Sequence, residues 1–122
     1  MVPLTNIIYG ILGLSFIDHK SEGFNWVSRS KLYDAIKVLA QRYPEQFSGV
    51  YFTKRGNLEH SKQIEDVLFR LGGVLITQSL GGQQIGFKDN ELSYVNQKLT
   101  KWLAPQDREI VKKLAAEFYQ LI

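Results

Sequence analysis

The chain contains no cysteine. Disulfides, thiolate-held zinc and cysteine nucleophiles are therefore excluded, and a cytoplasmic location is expected. Histidine is scarce: His19 and His60 are far apart and form no HExxH pair. A transition-metal site would have to be completed with carboxylates, so neither a metal nor a cofactor is expected. Charge of one sign is not in large excess either. Fifteen basic and 12 acidic residues leave a formal +3, whereas a nucleic-acid footprint needs clustered cations. The longest apolar run lies in "MVPLTNIIYGILGLSFIDHK". At about 15 residues it is short for a membrane span. It has no basic residue before Lys20 and no small-residue cleavage pattern, so it is not read as a signal peptide. No membrane association is expected, and the run reads as a buried core helix.

Catalytic patterns are missing as well. "GGQQIG" lacks the spacing and the lysine of a phosphate loop, and no GxGxxG or GxSxG occurs. Asp18, His19 and Glu22 lie on a polar loop with no nucleophile beside them, which is not a positioned acid–base pair. The chain is therefore read as no enzyme, with no catalytic residues.

What is present is enough for one domain. The 122 residues are 44% hydrophobic, far from the composition of a disordered chain. Leu4, Ile7, Ile8, Ile11, Leu12 and Phe16 recur at helical spacing and predict a first helix over 4–17. Ser28 and Ser30 are candidate N-caps for a second helix over 29–43, stopped by Pro44. A short strand is expected at 50–53 and a basic turn at Lys54, Arg55 and Gly56. Asn57 is then read as the cap of a third helix, 58–71, which Gly72 and Gly73 stop with one glycine in the left-handed position. "VLITQ" and "QIGFK" flank "SLGGQ" and predict a hairpin over 74–88. Asp89 or Asn90 would cap a fourth helix, and Pro105 fits the first turn of a fifth.

This order, with "LFRLGGVLI" joining a helix to an apolar strand, resembles the winged-helix superfamily. The expected architecture is mainly α with a small β-hairpin, an α+β class. A single domain, 1–122, would hold a winged-helix-like core over 4–88 and C-terminal helices over 89–122. "YFTKRGNLEHSKQIEDVLFRLGGVLI" is also similar to the central segment of Panacea antitoxin-like domains, with His60-Ser61 in place of Tyr-Ser. That likeness implies a role in a defence or toxin-neutralising system through protein contacts.

Two functions compete. A DNA-binding regulator would use the third helix and the wing, with Lys54, Arg55, Lys62, Gln63 and Arg70 as contacts. Gln63 would pair with adenine and Arg70 with guanine. Against this, Glu59, Glu65 and Asp66 outnumber Lys62 and Arg70 on the expected outer face. No charged residue lies between Gly72 and Phe87, where a wing normally offers cations. A second basic group, Lys98, Lys101, Arg108, Lys112 and Lys113, is interleaved with acids and reads as a solvated face. The leading reading is a non-catalytic protein-interaction module, working as an oligomer or homodimer or with another protein. Leu80 at the hairpin tip, Phe69 and Tyr119 are its candidate contacts, and the apolar stripe of the fifth helix is a candidate dimer seam.

Overall fold

The helix α1, Leu4–His19, has no polar side. Such a helix is stable only when surrounded, and residues 7–16 are all buried. In the computed structural model, which describes residues 2–78, 83–88 and 90–122, α1 is the hub of the core. It is covered by α3 (Lys62–Arg70), α4 (Val95–Trp102) and α5 (Pro105–Leu121), and α5 also packs on α2 (Arg29–Arg42). Tyr9 sits between the rings of Phe87 and Trp102, at centroid distances of 5.8 and 5.3 Å. Burial, then the nearby Glu91 carboxylate, pushes its hydroxyl pKa up to about 12.

The architecture is mainly α with two small antiparallel sheets, an α+β class. The larger sheet runs β1 (Val27–Ser28), β5 (Gln84–Phe87), β4 (Leu75–Gln78). Val27 and Thr77 both pair with Ile85, which is buried together with Val27 and Leu75. The expected hairpin over 74–88 is thus present, although its tip, including Leu80, lies outside the described residues. Ser28 caps α2 by accepting from Lys31 N at 3.1 Å, and Pro105 occupies the first turn of α5, both as expected.

The segment before α3 differs from expectation. The strand is 53–55 rather than 50–53, and residues 58–60 are not helical. They form β3 (Leu58–His60), paired with β2 (Thr53–Arg55) so that Lys54 faces Glu59. Gly56 and Asn57 make the turn, with Gly56 at φ +66°. Glycine first at positive φ suits a two-residue hairpin turn, so Asn57 caps nothing. The cap is Ser61, whose Oγ accepts from Ile64 N at 3.4 Å. The third helix is therefore 62–70 rather than 58–71. Ser61 is only 1% exposed, so removing its hydroxyl also strands a buried N–H. Ser61→Ala is expected to cost about 1–2 kcal/mol, read as a lower urea midpoint with an unchanged slope.

Two smaller expectations also change. Neither Gly72 nor Gly73 has a positive φ. The helix ends instead in a tight turn, with Gly72 N donating to Phe69 O and Leu75 N to Leu71 O. Asn90 adopts φ +70° without a side-chain cap bond, and a 3-10 turn at Glu91–Tyr94 leads into α4, while Asp89, the other expected cap, lies outside the described residues. The stripe on α5 is used internally: Val111, Leu114, Ala115 and Phe118 are buried. Ile110, Tyr119 and Leu121 of the same helix are only partly buried, so most of the stripe, as expected, and not all of it, is used within the fold.

Candidate functional site

The first turn of α2 sets the site. With Ser28 as cap, Arg29 and Tyr33 fall one turn apart on the same helix face. Both donate to Glu65 Oε1 on α3, closing a polar bridge across 36 sequence positions. Burial raises the Glu65 pKa, but the hydrogen bonds from Arg29 and Tyr33 and the Arg29 charge outweigh it. The carboxyl is held below its ordinary range, so it remains ionised. Burial, then the same carboxylate, pushes the Tyr33 hydroxyl well above its ordinary value. Nε of Arg29 is buried and has no hydrogen-bond partner among the described residues.

A second carboxylate is taken inward beside it. Lys37 Nζ donates to Glu59 Oε1 at 2.7 Å, and the Glu59 side chain is only 10% exposed. Lys54 Nζ stands 4.0 Å from the same oxygen. Glu59 and Glu65 therefore do not make the α3 surface acidic, as their positions in the sequence had implied. Its exposed face is Lys62, Asp66, Phe69 and Arg70: two positive charges, one negative, and one aromatic ring.

Grooves open on both sides of the Arg29–Glu65 bridge. One, of about 270 Å³, is lined by Leu68, Phe69, Gly72, Leu75, Thr77 and Ile85. The other, of about 540 Å³, runs past Tyr33, Arg55, Leu58, Glu59 and His60 to Gln83. Phe69 is 87% exposed at the edge of the first, and Leu58 58% exposed at the edge of the second. An apolar wall with a few polar groups at its base can hold another chain's side chain.

No family model, curated protein or solved structure matches this chain. The geometry alone therefore carries the functional reading.

The residues singled out from the sequence separate into two places. Lys54 and Arg55 lie exposed on β2, Lys62 opens α3, and Phe69 and Arg70 close it. Of these, Phe69 lines the first groove and Arg55 the second. Gln63 lies on α3 too, but its Oε1 accepts from Tyr51 N at 3.0 Å and from Ser61 Oγ at 3.2 Å. That oxygen is no longer free for a two-point contact with adenine. Tyr119 is elsewhere. Its ring stacks on His19 at 3.3 Å and its hydroxyl donates to Glu22 Oε2 at 3.0 Å. Hydrogen bonds from His19 first, then Tyr119, hold the Glu22 carboxyl below its ordinary range.

The C-terminal basic group is largely engaged within the fold. Arg108 donates to the Thr100 and Leu103 carbonyls at the end of α4, and Lys98 pairs with Glu91. Lys112 pairs with Glu109, and Lys113 lies over the Tyr43 ring. Among the described residues, no cluster of potential ligands for a metal ion occurs, and no helix is long and apolar enough to cross a membrane. Arg29, Tyr33 and Leu58 were not singled out from the sequence. The four-residue step from Arg29 to Tyr33 was the available signal, but it does not name a partner on another helix.

Proposed function

We propose that this chain is a non-catalytic protein-interaction module on a winged-helix-like framework, with α3 and its flanking grooves as the contact surface. The order helix, strand, helix, helix, hairpin, with β1 paired to that hairpin's second strand, supports the framework once the small β2–β3 hairpin between α2 and α3 is set aside as an addition to it. The observation that carries the function is Phe69. A ring 87% exposed beside a groove walled by Leu68, Leu75 and Ile85 is the kind of aromatic anchor that dominates protein interfaces. A toxin-neutralising or defence role through protein contacts is consistent with that surface. The cysteine-free composition suits the cytoplasm, where the proposal places it.

One observation favours the rival DNA-binding regulator. With Glu59 and Glu65 paired inward, Lys62 and Arg70 stand free of them on α3, and Lys54 and Arg55 are exposed on β2. Four cations are still few for strong salt-dependent binding, and the described part of the wing offers none before Lys88. The test is retention on duplex DNA at about 0.15 M salt, where weak non-specific contacts are largely lost. The expected result is no retention. Retention that disappears in Lys54→Glu/Arg55→Glu would replace the proposal with the regulator.

A further inference from the structure

We propose that the outer face of α3 binds the same face of a second copy of this chain, across a twofold axis beside Phe69. The proposal rests on the reading of α3 as a protein-contact surface and names its occupant.

The face is self-complementary. Asp66 and Arg70 are one helical turn apart, about 6 Å along the axis, and both are exposed. Neither forms an ion pair within 4.0 Å among the described residues, not even with the other. Two copies of α3 laid antiparallel, centred between these residues, bring Asp66 of each opposite Arg70 of the other. An isologous interface requires this reciprocity, in which residue i meets j and j meets i.

The apolar part obeys the same symmetry. Phe69 lies near the centre of that pairing, and the ring of each copy is offered to the other's groove of about 270 Å³. Such a groove has room for a phenyl ring. At the helix end, a side chain on Gly73 would meet nothing within 4 Å. That open space lies where Lys62 of the second copy arrives, over the carbonyl end of the helix, which favours a cation.

The exposed apolar side chains at Tyr94, Trp102 and Leu58 lack this pattern. Tyr94 and Trp102 lie near Lys98, which is already paired with Glu91. The larger groove beside Leu58 has both of its carboxylates engaged within the chain.

Sedimentation equilibrium of the full chain, from micromolar to about 1 mM, tests the proposal. The wild type is expected to be a dimer whose dissociation constant rises at least tenfold in Phe69→Ser, in D66R and in R70D. The double variant D66R/R70D restores the opposite charges and is expected to recover dimerisation. An equimolar mixture of the two single variants should form a heterodimer more readily than either self-associates. All three positions are exposed, and circular dichroism melting verifies that each variant is folded.

A wild type that stays monomeric up to 1 mM overturns the proposal. So does a dimer indifferent to all three single changes, or a double variant no better than its parents. In any of these cases the protein-contact reading stands while duplex DNA is not retained. Retention of DNA through Lys54 and Arg55 would overturn both.

Discussion

Replacing Gly10 with alanine is expected to destabilise the protein, although alanine is the better helix former. In an exposed helix the change would gain about 1 kcal/mol. Here the new Cβ would lie 2.3 Å from Cγ1 of Val111 and 3.5 Å from Leu99 Cδ2. Val111 is fully buried and β-branched, so its methyl group cannot rotate away freely. Overpacking of this kind costs about 1–3 kcal/mol, and at 2.3 Å the overlap should fall in the upper half of that range. The net loss is then about 1–2 kcal/mol for Gly10→Ala, or roughly 4–8 °C in Tm. Gly10→Leu should prevent α5 from docking on α1 and leave the chain unfolded. Thermal melts of Gly10→Ala, Val111→Ala and the double variant separate the causes. If the clash is responsible, the double variant loses less than the sum of the singles. Additive losses would show that contact between Gly10 and Val111 is not the cause.

The same glycine marks where sequence reasoning stops. An apolar stretch containing Gly10 and Gly13 announces a buried helix, because no polar side exists to face water. It does not announce which helix comes close. That depends on α5, about a hundred residues later. Punctuation was readable wherever it acts on its own neighbourhood: Ser28 as a cap, Pro105 in a first turn, the hairpin that ends at Phe87. It failed at Gly56-Asn57, which serves equally as a tight turn or as a helix entry. Glu59 decides between them by reaching Lys37 on α2, and no local pattern carries that information.

The site divides along the same line. Phe69 is legible as an outward position because it falls off the Ile64, Val67, Leu68 stripe. Arg55, Lys62 and Arg70 are visible as surface cations. Their surroundings were misjudged because Glu59 and Glu65 were counted as exposed charges. Helical periodicity assigned them to the solvent side, and tertiary pairing removed them from it. Strand β1 has two residues, too few for any alternation to register, so its pairing with β5 was also hidden.

Loss of the Glu65 carboxylate should be the costliest change at the site. Glu65→Ala leaves the Tyr33 hydroxyl without its acceptor and the Arg29 guanidinium without its counter-ion. Breaking a fully buried ion pair costs about 3–5 kcal/mol. Here the side chains of Arg29 and Glu65 are 27% and 33% exposed, so water recovers part of that. A loss of about 1.5–3 kcal/mol is expected, since two hydrogen bonds to a charged group disappear together. The pH dependence carries a definite sign. The folded pKa of Glu65 is lowered by Arg29 and Tyr33 against the opposing effect of burial. Its contribution is therefore fully present above the unfolded carboxylate value, about 4.3. It fades as pH falls through the lower folded value, because the unfolded chain then binds the proton first. Urea unfolding of wild type and Glu65→Gln from neutral pH downward measures this. The gap between them should be constant above about pH 5.5 and narrow below about pH 4.5. A gap that keeps its full size into strong acid would mean that the bridge stabilises the fold by shape rather than by charge. A gap near zero at neutral pH would mean that α2 and α3 are held together without it.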